Sequence, residues 1–442
     1  MEYKADRFAI GGSTNSTTDT ITGVVDGRVY QTERYGTFKY DVPVTNASYS
    51  VKLHFVEMYQ TTAGARLFSA SVEGQPVLQN VDLFAAYGHD VAYEVIIENV
   101  MVADESLTID LTGQIDNAQI SGFAIYSNDN GEFVEPPDTG LNGPFSGGMA
   151  DGEMKFLGNI LNGPRADYPQ YWNQVTMENA GKLGPLMPSR GTFNWGPIDS
   201  TYAFAQTHNI IFKHHVFVWG SQEPNWIKDG GGLSNAVIQS ELENLMRLYC
   251  ERYPDNKIID VVNEPLHAPA TFRNSIGGAG STGWDWVVWS FEKARQYCPG
   301  QILVLNDYGI INDPNAIQRY KVIINALKSR GLIDAVGIQA HAFSVDNMTA
   351  TQLKNNLDNL AQTGLPIHVT ELDIRGNDEV QRDRYSRLFP VFWEHPAVAG
   401  VTIWGDDHSW LSDGDARLLI NGQPRPALTW MQSYFAQRRA NR

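Results

Sequence analysis

Two separately built domains, an all-β sandwich followed by an α/β (β/α)8 TIM barrel, are predicted by this 442-residue sequence. Three observations carry that expectation. The length exceeds the roughly 100–200 residues of a typical single domain. All 11 tryptophans lie at or after Trp172, and only Pro43 and Pro76 of the 21 prolines precede residue 130, so composition changes sharply along the chain. The hydrophobic period changes too, from short alternating runs to near-continuous apolar runs interleaved with helical stretches.

In the first part, SYSVKLHFVE places Tyr49, Val51, Leu53 and Phe55 on one face and Ser50, Lys52 and His54 on the other. That alternation is a half-buried strand. VLQNVDLF, LTIDL and QISGFAIY are further strand-like runs separated by turn-forming Gly, Asp and Asn, with no convincing helix among them. Residues 127–153, rich in Gly, Pro, Asp and Asn without a consistent period, have linker chemistry. The expected division is 1–127 sandwich, 128–152 linker and 153–442 barrel.

The second part supplies eight short apolar runs: KFLGNI (155–160), WNQVTMEN (172–179), IIFKHHVFVWG (210–220), KIIDVVNEP (257–265), QILVLNDY (301–308), AVGIQAH (335–341), PIHVTELDI (366–374) and VAGVTIWG (398–405). Most are followed by a helical stretch, such as NAVIQSELENLMRLYCERY after the third. Eight strand–helix units in this length fit a closed parallel barrel.

Polar residues gather where these runs end: Glu178 and Asn179, His215 and Trp219, Asn263 and Glu264, Asn306 and Asp307, Gln339 and His341, Glu371 and Asp373, and Trp404. The carboxyl ends of barrel strands build active sites, and capping alone does not explain so many. Glu264 and Glu371 each follow an apolar run, which points both into one mouth. Paired carboxylates flanking a glycosidic bond are the equipment of glycoside hydrolysis, one protonated and one ionised. Each Glu alone could instead be a buried ion-pair partner or a metal ligand, although no HExxH-type spacing accompanies them. Trp219, Trp404 and Trp410 lie at or beyond strand ends, where they could stack on pyranose rings or pack the barrel top.

The net charge of −17 argues against nucleic acid or an anionic membrane as partner. No apolar run approaches a membrane span, and MEYKADRF is no leader, so the chain is read as cytosolic or as lacking its leader. Cys250 and Cys298 are too few for a disulfide framework or a thiolate zinc site; two buried thiols are expected, with a single bridge as the alternative.

Taken in order, TMENAGK, SRGTFNW, HVFVWGSQEPNW, DVVNEP, LNDY, GIQAH, TELDI and TIWG resemble the family 10 glycoside hydrolases, mostly endo-β-1,4-xylanases, over about residues 155–435. The resemblance implies a retaining endo-1,4-β-xylanase with Glu264 as acid/base and Glu371 as nucleophile, whose carboxyl groups should lie about 5–5.5 Å apart. Asn263 would bond the 2-hydroxyl of the attacked sugar, and His341, steadied by Asp373, would orient Glu371. Glu178, Asn179 and Lys182 would grip the next sugar outward. His215, Trp219, Gln222, Gln339, Trp404 and Trp410 would line the substrate cleft. No metal or organic cofactor is implied. Gly220 stands where the family usually has His, and Leu183 where Trp commonly follows the Lys; both departures fall on the glycone side.

GVVDGRVYQTERYGTFKYDVPV, YSVKLHFVEMY, GARLFSASVEG and DNAQISGFAIY are similar to malectin-type carbohydrate-binding modules over about residues 5–127. That similarity would place a sugar site at Tyr35, Tyr59 and Asp116, with Gln60 where malectin carries a second aromatic; the alternative is a structural spacer. The expected protein is a secreted, monomeric xylan hydrolase acting on xylan and xylo-oligosaccharides, with neither nucleic acid nor membrane as partner. A hydrolase of another β-linked glycan accommodated by Gly220, or an inactive glycan-binding barrel, are the competing readings.

Overall fold

The computed structural model describes residues 6, 8–24, 27–104, 106–129, 140–141, 143–412 and 415–440. Of the expected linker, residues 130–139 and 142 lie outside the described residues. Contacts divide the chain into two compact units, Met1–Pro136 and Pro137–Asn441.

Among its described residues the first unit holds nine strands: β1 (Ala9–Ser16), β2 (Thr32–Pro43), β3 (Ser48–Phe55), β4 (Leu67–Val72), β5 (Gln75–Val81), β6 (Tyr93–Met101), β7 (Ser106–Ile115), β8 (Ala118–Ile120) and β9 (Gly122–Ser127). One antiparallel sheet runs β1-β2-β7-β4-β5, with β8 added to β2, and a second runs β6-β3-β9. Alternating side chains from both sheets, among them Tyr40, Val51, Leu53, Phe68 and Ile109, form one buried core. This is the sandwich architecture, with two half-buried sheets closing on each other. QISGFAIY is two strands rather than one, because Ser121 separates β8, paired with β2, from β9, paired with β3.

One expectation in this unit needs correction, and one residue is more deeply buried than its face suggests. VLQNVDLF leaves the strand conformation at Asp82, whose carboxylate accepts from Ala85 N and starts a five-residue helix, Leu83–Tyr87. His54 shares a face with Ser50 and Lys52, and like Lys52 it reaches Glu94, but it is buried where they are half-buried. It is buried, with Nδ1 2.8 Å from the Tyr30 hydroxyl, because the end of β3 is covered on both faces.

In the second unit, β10 (Phe156–Ile160), β11 (Gln174–Thr176), β12 (Ile211–Val218), β13 (Ile258–Asn263), β14 (Ile302–Asp307), β15 (Ala335–Ile338), β16 (Ile367–Leu372) and β17 (Val398–Ile403) close into a parallel barrel in sequence order. Each falls within one of the eight apolar runs. Seven of these strands are wholly buried, and β12 is so apart from Ile211, because side chains fill the lumen inside and helices cover the outside. The helices Asn235–Arg252 and Asp285–Tyr297, after β12 and β13, carry the two cysteines at or just past their carboxyl ends. The expectation of two free thiols is corrected: Cys250 and Cys298 form a disulfide, their Cα atoms 5.6 Å apart.

Candidate active site

Glu264 follows β13 directly, in left-handed backbone at φ 52°. That conformation is unfavourable for a residue with a Cβ, by about 1 kcal/mol or more, so surrounding bonds must hold it. They come from the next strand and from the turn itself. Glu264 N donates to Asn306 O at 2.8 Å, while His267 N and Ala268 N both donate to Glu264 O. Glu371 sits within β16, and Gln339 and His341 leave β15 just beyond its end.

The two carboxylates are joined by an unbroken chain of amides. Gln339 Nε2 donates to Glu264 Oε1 at 2.9 Å and lies 3.2 Å from Asn263 Oδ1. Asn306 Nδ2 donates to Asn263 Oδ1 at 3.0 Å and to Glu371 Oε1 at 2.8 Å. The Thr370 hydroxyl donates to Asn306 Oδ1, which fixes which end of that amide faces Glu371. On the other side of Glu371, His341 Nε2 lies 3.2 Å from Oε2. His341 Nδ1 is 2.8 Å from Asp373 Oδ2, and Asp373 also accepts from Trp410 Nε1 and Ala342 N.

These surroundings push the two carboxyls in opposite directions. Burial raises the Glu264 carboxyl, and the charge of Glu371 raises it further, against the opposing bond from Gln339. For Glu371 burial is again the largest influence and also acts upward. The His341 hydrogen bond and the charges of His215 and His341 outweigh it and leave the carboxyl below its ordinary value. Burial opposes the His341 imidazolium, yet Asp373 and Glu371 hold it up at about 10. The site therefore contains one carboxyl suited to keeping a proton and one suited to staying ionised.

Around them, His215 is buried with Nδ1 2.9 Å from Asp260, which is also paired with buried Lys213. The rings of His215 and His341 approach Trp404 at 5.5 and 6.4 Å, and Trp410 lies 4.8 Å from His341. Lys182 Nζ bonds Asn179 Oδ1 and stands 5.1 Å from the Trp219 ring. Burial lowers the Lys182 ammonium, opposed by Glu371, Glu178 and Glu264. Glu178 accepts from Asn162 and pairs with His408, whose hydrogen bond is the main cause of its lowered carboxyl. Gln222 stands apart: exposed, at φ 53°, with its backbone carbonyl accepting from Gly184 N.

Several members of the site escaped the sequence reading. Asn162 and His408 frame Glu178, yet both lie on loops where no apolar run marks them. His267, Tyr308 and Phe343, after β13, β14 and β15, form an aromatic wall. His267 stacks on Tyr308 at 4.1 Å, and Phe343 lies 5.7 Å from Tyr308 and 5.5 Å from His341. LNDY and AVGIQAH ended beside them, which was the available signal.

The two positions that depart from the family pattern, Leu183 and Gly220, are both packed rather than open. Leu183 is buried in the barrel's main core. A Cβ on Gly220 would lie 2.3 Å from Pro269 O and 2.5 Å from Ala268 O, and Gly220 N donates to Ala268 O. The segment after Glu264 has taken the space that a side chain at 220 would need. Gly220 therefore opens no room for an alternative glycan.

In the sandwich, Gln60 Nε2 donates to Asp116 Oδ2 at 2.9 Å beside exposed Tyr59. Tyr35 pairs in register with Gln119, whose amide oxygen accepts from Arg66. Buried Arg66, not singled out in the sequence, joins the pieces: it also lies 3.5 Å from Asp116 and 3.3 Å from Glu57, which accepts from the backbone of Tyr59 and Gln60. Among the described residues no cluster of three or more His, Cys, Asp or Glu could hold a metal ion, and no helix is long and apolar enough to cross a membrane.

Comparison with known proteins matches residues 1–131 to the Malectin domain and residues 147–434 to Glycosyl hydrolase family 10. Endo-1,4-beta-xylanase B of Cellvibrio japonicus is 43% identical over 286 residues, covering 63% of this chain and 45% of that protein. Endo-1,4-beta-xylanase A of Caldicellulosiruptor saccharolyticus is 30% identical over 297 residues, 59% of this chain and 85% of that protein. The chain thus spans less than half the length of the first relative and most of the second. A family 10 structure from Paenibacillus barcinonensis superposes with a TM-score of 0.58 at 25% identity, over 64% of this chain and 96% of its own. An intracellular xylanase from Thermoanaerobacterium saccharolyticum gives 0.56 at 26%, over 63% and 96%. With 147–434 matched and a closed barrel carrying two carboxylates at its mouth, the chain belongs to glycosyl hydrolase family 10, behind an N-terminal malectin-type sandwich.

Proposed function

We propose that this protein is a retaining endo-1,4-β-xylanase, with Glu371 as nucleophile and Glu264 as acid/base. The observation that carries the reading is the opposite displacement of two carboxyls linked through one amide chain. In the first step an oxygen of Glu371 bonds the anomeric carbon. The carbon–oxygen bond to the leaving sugar breaks, and the proton of Glu264 passes to the departing oxygen. In the second step Glu264, now ionised, takes a proton from water. That water's oxygen bonds the same carbon, and Glu371 leaves as a carboxylate.

The two xylanase relatives and the order of site residues along the strands favour xylan and xylo-oligosaccharides as substrate. Asn263 would hold the 2-hydroxyl of the attacked sugar. Glu178, Asn179 and Lys182 would bind the next sugar on the glycone side, and His215, Trp219, Gln222, Gln339, Trp404 and Trp410 would wall the cleft. We assign the sandwich, residues 1–127, a sugar site at Tyr35, Tyr59 and Asp116, tethered through 128–152 to the catalytic domain at 153–442. The protein would act as a secreted monomer, because polymeric xylan does not enter cells.

Reducing-sugar release from soluble xylan by the parent and by Glu371→Ala tests the reading. Release by the parent that vanishes in the variant is expected. Release persisting in the variant would remove Glu371 from the chemistry, and no release by the parent on xylan would overturn the substrate.

A further inference from the structure

A side chain at 220, where the family usually has histidine, would meet the backbone of Ala268–Pro269. Residues 265–269, which supply that backbone, follow Glu264 directly and carry a histidine of their own. His267 Nδ1 lies 2.7 Å from Asp307 Oδ1. Asp307, fully buried at the end of β14, also accepts from Leu266 N at 2.9 Å and from Tyr308 N at 2.8 Å. The His267 ring stacks on Tyr308, and His267 N donates to Glu264 O at 3.1 Å. One carboxylate thereby fastens two successive residues of the turn that forces Glu264 into left-handed backbone.

We infer that His267, clamped by Asp307, is a positioning residue for Glu264 that holds the acid/base in its strained conformation. The inference rests on the role of Glu264 proposed above. An isolated left-handed Glu would relax toward the β or right-handed region, swinging its carboxyl away from the amide chain. The ring cannot do this as a spectator, because its Nδ1 is committed to Asp307 and its backbone N–H to Glu264 itself. The Asp307 hydrogen bond also favours the imidazolium form of His267, with burial opposing and Glu264 adding to the rise. The ionisable groups around the pair are Asp307 from β14, Tyr308 after it, Arg319 on the helix after β14, Glu371 from β16 and Lys182 after β11. Of these, Asp307 and Glu371 raise the Glu264 carboxyl, and the attraction between Glu264 and a His267 imidazolium acts the other way, so its loss leaves the rise less opposed.

The test compares the parent, Glu264→Ala, His267→Phe and His267→Gln on soluble xylan and on dinitrophenyl β-xylobioside. The aryl substrate's leaving group departs without a proton, so its kcat/KM bypasses the acid. His267→Phe keeps the stack on Tyr308 and removes both the bond to Asp307 and the charge. It is expected to lose about tenfold or more in kcat/KM on xylan and less than about threefold on the aryl substrate, with the alkaline limb on xylan moved upward by roughly half a pH unit or more. His267→Gln, able to donate to Asp307 but uncharged, should recover most of the rate while keeping the displaced limb.

Equal losses on both substrates, or a limb that stays where the parent has it, would overturn the positioning role. The latter result would reduce His267 to a contact for the leaving sugar. Glu264→Ala separates the two layers of the argument. If it does not lose xylan activity selectively, the assignment of Glu264 fails; if it does and His267→Phe does not, only the inference about His267 fails.

Discussion

His341 Nε2 lies 3.2 Å from Glu371 Oε2, and both side chains are buried. An imidazolium held at about 10 is charged throughout the neutral range, so it acts as a fixed counter-ion for the proposed nucleophile. Replacing it with Asn removes the charge, and burial of Glu371 then acts without that opposition. The acid limb of kcat/KM on xylan, where Glu371 must ionise, is expected to move up by about one pH unit, with the maximum reduced by roughly 10–100-fold. A limb unchanged in His341→Asn would detach the pair from the catalytic ionisation.

The same ion pair links stability to pH. The folded His341 imidazolium is raised from 6.5 to about 10, so its contribution is complete below about pH 6.5 and is lost as pH rises through about 10. The difference in urea midpoint between parent and His341→Asn is therefore expected to be largest near pH 6 and to shrink toward about pH 10. A difference constant across that range would mean that the residue contributes packing and hydrogen bonds only.

Much of this was legible in the sequence, for a physical reason. A barrel strand is buried on both faces, so PIHVTELDI and KIIDVVNEP read as apolar runs, and the polar residues closing them stand out as Glu371 and Glu264. His408 and Asn162 sit on connecting segments where no periodicity constrains residue type, so nothing marked them, whereas Phe343 lies in the short helix Ala342–Val345 just past the end of AVGIQAH. Gly220 was visible as a departure from the family, but its meaning depends on where the carbonyls of Ala268 and Pro269 lie, which no pattern at position 220 encodes. Likewise His54 sits at a strand end where coverage on both faces, rather than alternation, decides burial.

Gly220→Ala is expected to be disruptive although its φ lies outside the left-handed region. The added methyl would meet Pro269 O at 2.3 Å and Ala268 O at 2.5 Å, both backbone atoms that cannot rotate away. Overpacking of this kind costs about 1–3 kcal/mol. Because the displaced segment starts at Glu264, xylan turnover should fall by more than stability alone explains, seen as reduced kcat at temperatures where the variant remains folded. An unshifted melting temperature would show that the segment after Glu264 yields freely.

The Cys250–Cys298 disulfide should matter for stability and not for turnover. Each cysteine lies at or just past the carboxyl end of a helix that runs back from the mouth, so the bridge joins two helices on the face opposite Glu264 and Glu371. Closing a loop across 48 positions restricts the unfolded chain by about 4 kcal/mol in the chain-entropy treatment. The double variant Cys250→Ala/Cys298→Ala, or the parent treated with dithiothreitol, is expected to unfold at markedly lower urea while kcat on xylan stays within about twofold at ambient temperature. Disulfides persist chiefly in oxidising compartments, so the bridge fits the proposed export. Equal urea midpoints with and without the bridge would mean that the helices Asn235–Arg252 and Asp285–Tyr297 are held by packing alone. The bond would then give no support to the proposal of export.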